Sequence, residues 1–271
     1  MAIRLLISDL DGTLLGPDGR ITPPTAEALQ RARRAGIPLL AATGRSWKTA
    51  SPLLAEAGVA ADFVLLNGAE ARNARGELLR AVSLPLNAAR RAVAVLRRYG
   101  MGFEVNTDGG DFTTDTDLCP TAQPLPRLAA FWARQPQVRK IFAFSQNPDA
   151  LARARRMLQT QPDVTVTASA PWNLEVTARD AQKGRMARWM AARYGIPPEE
   201  VLVFGDGGND RSLFRAFLHT RAMGNGDPAL RALAERVIES NGQDGVAREI
   251  DRLLAARQPG AGIRREERPA L

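Results

Sequence analysis

The stretch Ile7-Ser-Asp-Leu-Asp-Gly-Thr-Leu-Leu15 sets two carboxylates two residues apart, directly after the apolar run Leu5-Leu6-Ile7, and follows them with a glycine. On a β-strand, residues i and i+2 point the same way, so Asp9 and Asp11 would meet as like charges on one side of the chain. That arrangement repels itself unless a cation or a proton sits between the two groups.

Working outward, Leu5 to Asp9 reads as a strand, Thr22 to Ala35 as a helix closed by Gly36, and Pro38 to Thr43 as a second strand. Ser46 to Ala57 is a helix stopped by Gly58, and Phe63 to Asn67 is a third strand. Short apolar runs alternating with amphipathic helices are the pattern of a parallel sheet covered on both faces. The pattern then changes: helix 86–99, strands near 101–106 and 111–116, helix 125–134, strand 138–145, helix 149–160, and strands 164–169 and 173–178. Adjacent strand pairs of this kind predict an antiparallel sheet. The first pattern resumes with helix 182–194, strand 201–205, helix 209–217, strand 220–223, helix 227–235, strand 236–239 and helix 245–256. The expected architecture is an α/β core made from residues 1–82 and 180–257, interrupted by an inserted α+β domain at 83–179. The tail 258–271 has no apolar period and is expected to be mobile.

Composition narrows the chemistry. The 271 residues include one cysteine, Cys119, and one histidine, His219, which leaves no internal disulfide and argues against a zinc site of the Cys/His type. Both residues are expected to be structural. No apolar run approaches the ~18 residues of a membrane span, and Met1-Ala2-Ile3-Arg4 leads into a strand without a signal-peptide pattern, so a cytoplasmic location is expected. Lys and Arg exceed Asp and Glu by 37 to 29, a formal charge of +8. Such a charge suits nucleic acid. The arginines, however, are scattered through Ala-rich helices such as Ala88 to Arg98, where they solvate an outer face, so nucleic acid is the less favoured partner.

Asp9 ends the first strand, and in open α/β sheets ligands bind beyond the carboxyl ends of strands. Three more strand ends are polar and glycine-bearing: Ala41-Ala-Thr-Gly-Arg45, Leu66-Asn-Gly-Ala69 and Phe204-Gly-Asp-Gly-Gly-Asn-Asp210. Thr43 supplies a hydroxyl, Gly44 allows close approach of its N–H, Asp206 and Asp210 add carboxylates, and Asn209 is an uncharged donor. Four converging aspartates ask for a hard divalent metal, and Mg²⁺ takes carboxylate and carbonyl oxygens while bridging to a substrate phosphate. Lys183, in Asp180-Ala-Gln-Lys-Gly184, can supply positive charge on the far side of that phosphate, with Asp180 as the expected N-cap of its helix.

Asp-Leu-Asp-Gly-Thr-Leu, Ala-Thr-Gly-Arg, Gln-Lys-Gly and Gly-Asp-Gly-Gly-Asn-Asp, in that order, resemble the four motifs of the haloacid dehalogenase superfamily, specifically its Cof-type phosphatases with the C2B cap (subfamily IIB). Ala222-Met-Gly-Asn225 and Glu239-Ser-Asn-Gly-Gln-Asp-Gly-Val246 also look like that group, so the resemblance spans about residues 4–256. It implies a Rossmannoid core with an inserted cap and a Mg²⁺-dependent phosphatase acting on small phosphorylated metabolites, such as sugar or cofactor phosphates. Position by position, Asp9 resembles the nucleophile that becomes an aspartyl phosphate and Asp11 the general acid/base. Asp9, the Asp11 carbonyl and Asp206 would hold Mg²⁺, with Asp210 as a further ligand or an acceptor behind them. Leu10 N–H, Thr43, Gly44, Lys183 and Asn209 would cradle the phosphate. The residues before the lysine, Arg179-Asp-Ala-Gln, depart from the usual apolar-Gly-Ser turn. A phosphomutase of the phosphomannomutase type is the alternative that the same resemblance leaves open.

Substrate choice falls to the inserted domain. Its candidate lining segments are the turn Asn106-Thr-Asp-Gly-Gly-Asp111 and the segment Ala170-Pro-Trp-Asn173, whose Asn and Asp side chains suit sugar hydroxyls. The four tryptophans, Trp47, Trp132, Trp172 and Trp189, are expected to pack in cores.

Overall fold

The apolar run after Arg4 forms β1 (Leu5–Ser8), and all four of its residues are buried. In the computed structural model, which describes residues 2–257, β1 is followed by α1 (Pro23–Arg34), β2 (Leu39–Ala42), α2 (Trp47–Glu56), β3 (Ala61–Leu65), β4 (Glu70–Arg72) and β5 (Leu78–Ala81). Next come α3 (Leu86–Arg98), β6 (Gly102–Thr107), β7 (Gly110–Thr113), β8 (Gln123–Pro124), α4 (Leu128–Ala133), β9 (Val138–Phe144), α5 (Pro148–Gln159), β10 (Val164–Thr167) and β11 (Asn173–Ala178). The chain continues through α6 (Lys183–Arg193), β12 (Val201–Gly205), α7 (Arg211–Ala216), β13 (His219–Met223), α8 (Pro228–Arg231), β14 (Arg236–Ile238) and α9 (Gly245–Arg257). The tail expected at 258–271 lies outside the described residues.

The first sheet has the order β14-β13-β12-β1-β2-β3-β4-β5, parallel from β14 to β3. Its central strands are buried on both faces, which is why they read as unbroken apolar runs. Leu5, Ile7, Leu40, Val64, Val201 and Val203 pack with Met186, Met190 and Leu213 on the side of α6 and α7. The alternate residues Leu6, Leu39, Phe63, Leu65, Leu202 and Phe204 pack on the opposite side with Leu29 of α1 and Ile250 of α9. From β1 the chain steps outward to β2 and β3, and after the insertion it steps the other way from β12 to β14. The order therefore reverses between β1 and β12, and their carboxyl ends open a crevice there.

β4 and β5, absent from the sequence reading, extend this sheet as an antiparallel hairpin at its edge. They are short and carry charged residues, and Leu78 is left exposed, so neither shows the apolar run of a central strand. The helix expected at 227–235 is cut to α8, and the segment before α7 is a tight turn at Gly208–Asp210.

The second sheet, order β10-β11-β9-β6-β7-β8, comes wholly from residues between Gly102 and Ala178 and is antiparallel except for β7 with β8. One face, with Phe103, Val105, Ile141, Ala143, Leu174 and Val176, is covered by apolar residues of α3 and α5 such as Val93, Leu96, Leu151 and Leu158. The opposite face carries Glu104, Asn106, Lys140, Phe142, Asn173 and Glu175 and turns toward the crevice of the first sheet, where all six line one cavity of about 920 Å³. At the junction Leu84 N–H donates to Val138 O at 2.8 Å, and Arg139 Nε lies 3.4 Å from Glu70 Oε1. Among the described residues, no helix is long and apolar enough to cross a membrane.

Candidate active site

Asp9 follows β1 still in extended geometry and is pinned there by its N–H donating to Phe204 O on β12 at 3.1 Å. The turn Leu10–Leu14 that follows needs Gly12, whose φ is +77° and whose Cβ, were there one, would stand 2.3 Å from Asp206 Oδ2. The glycine of the opening motif is thus what lets two strand-end loops touch. Thr13 Oγ1 then donates to Asp206 Oδ1 at 3.1 Å, and Asn225 Nδ2 holds the Gly12 carbonyl at 2.9 Å.

Asp9, Asp206 and Asp210 each offer a carboxylate oxygen, and these oxygens lie within 4.8 Å of one another. Lys183 sits beneath them with its side chain fully buried, donating to Asp9 Oδ1 at 2.6 Å and Asp210 Oδ1 at 2.7 Å. Asp210 Oδ2 accepts the N–H groups of Asp206 at 3.1 Å and Gly207 at 3.0 Å, so both of its oxygens are occupied. Asp9 Oδ2 and Asp206 Oδ2 have no hydrogen-bond partner among the described residues. Burial, reinforced by Asp210 and Asp206 and only partly offset by Lys183, pushes the Asp9 carboxyl well above its usual range. Burial and Asp210 push Asp206 up to about 6. Although burial works against its charge, Asp210 and Asp9 hold the Lys183 ammonium above its ordinary value. Three carboxylates set against one ammonium leave an excess of negative charge, and free oxygens on Asp9 and Asp206 fit a small oxygen-seeking cation.

Asp11 is turned away from that cluster. Its carboxylate is more than half exposed to the cavity and is held in a fork by Arg45, with Nε to Oδ2 at 2.8 Å and Nη2 to Oδ1 at 2.6 Å. Thr43, at the end of β2, is buried, and its Oγ1 accepts Arg45 N–H at 3.1 Å. Gly44, Asn209, Asp9, Asp11 and Asp206 line the cavity, whereas Leu10, Thr43, Lys183 and Asp210 lie behind its surface. Asp180 does not cap α6: Gln182 occupies that position without a side-chain bond, and Asp180 pairs with Arg185 one turn on, where a charge-assisted contact is available.

The second sheet reaches into the same place through Lys140 and Glu175, which the sequence reading missed. Lys140 Nζ donates to Gly44 O at 2.5 Å and to Glu175 Oε1 at 2.9 Å, while Asn67 Nδ2 donates to Glu175 Oε2 at 2.9 Å. Against the effect of burial, Lys140 and Asn67 keep Glu175 below the usual carboxylate range. A Cβ on Gly44 would come within 3.1 Å of both Asn67 Oδ1 and Glu175 Oε1. Of the two candidate lining segments, only 170–173 meets the cavity as a whole; the turn at Asp108–Gly110 is folded on itself and tied to Gln137, and only Asn106 at its base lines the cavity. Trp172 is 39% exposed rather than packed in a core. Cys119 also lines the cavity, its thiol pushed up to about 11 by burial and the nearby Glu104.

The chain as a whole is similar to known proteins. A family model described as haloacid dehalogenase-like hydrolase matches residues 6–250. The 5-amino-6-(5-phospho-D-ribitylamino)uracil phosphatase YwtE of Bacillus subtilis is 25% identical, over 93% of this chain and 99% of its own. The pyridoxal phosphate phosphatase YbhA of Escherichia coli is 27% identical, over 92% and 98%. A solved haloacid dehalogenase-like hydrolase from B. subtilis superposes with a TM-score of 0.86 at 24% identity, covering 92% of this chain and 99% of that one.

Proposed function

The chain belongs to the haloacid dehalogenase-like hydrolase family and is a phosphoric monoester hydrolase, and we propose that it cleaves small phosphorylated metabolites with Mg²⁺ through an aspartyl phosphate on Asp9. The observation that carries this reading is the set Asp9, Asp206 and Asp210, with converging oxygens at the reversal point of a parallel sheet and a buried Lys183 between two of them. Asp9, Asp206 and the Asp11 carbonyl would hold the ion. Asp210, with both oxygens taken, orients Lys183 and the Asp206 loop from behind. When bound, Mg²⁺ supplies positive charge to the carboxylates and to the phosphoryl oxygens.

In the first step a carboxylate oxygen of Asp9 attacks phosphorus, and the bond from phosphorus to the ester oxygen breaks. Asp11, which faces the cavity in the fork of Arg45, gives its proton to the departing oxygen. The ionised Asp11 then takes a proton from water, whose oxygen attacks the phosphorus of the aspartyl phosphate and restores Asp9. Gly44 and Asn209 border the place where the phosphate oxygens would lie. Positioning and electrostatics dominate, because phosphate monoester hydrolysis requires accelerations up to ~10²¹-fold and general acid–base help supplies only ~10²–10⁴-fold.

Residues 83–179 act in this reading as a cap over the core formed by 1–82 and 180–257. Lys140 and Glu175 latch it to Gly44 and Asn67 of the core. The cavity, at about 920 Å³, has the size of sites for small metabolites rather than polymers, and such substrates point to action in the cytoplasm. A screen of phosphorylated metabolites for released phosphate, with and without Mg²⁺, tests the reading: Mg²⁺-dependent turnover of at least one metabolite is expected, and no release from any ester would refute it.

A further inference from the structure

Resting on the phosphatase reading, we propose that Lys140 and Glu175 are positioning residues for the phosphate group itself, whatever leaving group it carries: from the cap, the pair sets the Gly44 peptide and the Asn209 amide of the core. Core contacts fix only part of the loop that holds Gly44. Thr43 O accepts Asn67 N–H at 3.1 Å, and Arg45 O accepts Leu66 N–H at 3.0 Å. Between them Gly44 O accepts Lys140 Nζ at 2.5 Å, its one donor among the described residues. Gly44 has no side chain to restrict rotation of that peptide, and a carbonyl turned into the cavity would set its negative end against a phosphate oxygen. Lys140 holds the carbonyl and offsets that charge. The ammonium is itself committed, with Glu175 Oε1 at 2.9 Å and the centroid of the Phe142 ring 5.7 Å away.

The other arm runs through Glu175. Its second oxygen, Oε2, accepts Asn67 Nδ2 at 2.9 Å. A carboxylate only accepts, so Asn67 must turn its Nδ2 to the cap and its Oδ1 to Asn209, whose Nδ2 lies 3.4 Å away. Asn209 thereby presents its amide hydrogens on that side, one toward Asn67 and one left to donate into the cavity that it lines. The backbone of Asn67 is fixed as well, at φ +58° with its N–H on Thr43 O. Lys140 and Glu175 are diagonal neighbours on β9 and β11, and their side chains are 7% and 4% exposed, so the pair is a buried connection rather than a solvated surface bridge. One ion pair of the cap thus reaches phosphate-binding residues on two strand ends of the core, Gly44 after β2 and Asn209 after β12.

The test measures binding of inorganic phosphate, which has no leaving group, by calorimetric titration with Mg²⁺ present. Alongside it, kcat and KM are measured for p-nitrophenyl phosphate, glycerol 3-phosphate and pyridoxal 5′-phosphate. The enzymes are wild type, Lys140→Met and Lys140→Met/Glu175→Leu, each assayed below its melting temperature. Lys140→Met should weaken phosphate binding by at least about tenfold and lower kcat/KM for the three esters by one common factor. It also leaves Glu175 buried and unpaired, so it should melt early, whereas the double variant replaces the ion pair by apolar groups and should regain Tm. Phosphate binding and turnover should stay low in the double variant, because neither arm remains. Phosphate binding unchanged with only pyridoxal 5′-phosphate slowed would make Lys140 a leaving-group contact, and recovery of binding and rate together with Tm would make the pair merely structural. Either result would overturn the proposal and leave the phosphatase reading intact. Wild type that neither binds phosphate nor releases it from any ester would instead remove the reading on which the proposal rests.

Discussion

Replacing Lys183 by methionine keeps the length of the side chain and deletes its charge. The ammonium is fully buried between Asp9 and Asp210, which are 4% and 0% exposed, so neither water nor another cation among the described residues can take its place at 2.6–2.7 Å. Removing one partner of a buried ion pair costs about 3–5 kcal/mol, because the charge left behind stays desolvated. For a chain of this size each kcal/mol shifts Tm by about 2–4 °C, so the metal-free variant should melt about 6–20 °C below wild type. Saturating Mg²⁺ should return part of that loss, since the ion compensates the same carboxylates. Differential scanning calorimetry with EDTA and with Mg²⁺ reads both numbers. A drop of less than about 1 kcal/mol, within the range of an ordinary surface substitution, would refute the placement of Lys183 as the counter-charge of the site.

Activity should disappear in EDTA and return with Mg²⁺ but not fully with Ca²⁺, whose larger shell disturbs in-line geometry; a phosphate-release assay checks this. Asp11→Asn should slow alkyl phosphates by ~10²–10⁴-fold, while p-nitrophenyl phosphate, whose leaving group departs without protonation, should give a rapid burst equal to the enzyme followed by slow turnover in stopped flow. Gly12→Ala should lose stability and most activity together, because φ is +77° and the new methyl would collide with Asp206; calorimetry and phosphate release on the same preparation measure both.

The parts of this fold that could be read from sequence are those whose signals are local. Leu5–Ser8 and Val201–Gly205 are buried on both faces, so every residue must be apolar or small, and the runs stand out. The polar residues that end them, Asp9 and Asp206, stand out for the same reason. The hairpin β4–β5 was not legible because an edge pair with Leu78 in solvent has no such demand on composition. Lys140 and Glu175 lie on strands that were expected, but nothing local tells which face of a cap strand meets a loop some hundred residues away in sequence. The same limit explains the turn at Asp108–Gly110, polar and glycine-rich for its own tight bend rather than for a ligand.

An aspartyl phosphate on Asp9 is tested most directly by mixing enzyme, Mg²⁺ and a phosphate ester that it hydrolyses, quenching in acid within one turnover, and mapping the modified peptide by mass spectrometry. One phosphoryl group is expected on the peptide containing Asp9, absent in Asp9→Asn, forming and decaying fast enough to carry turnover without added bisphosphate. Phosphate released at full rate with Asp9 unmodified at every time point, or with Asp9→Asn still active, would contradict it.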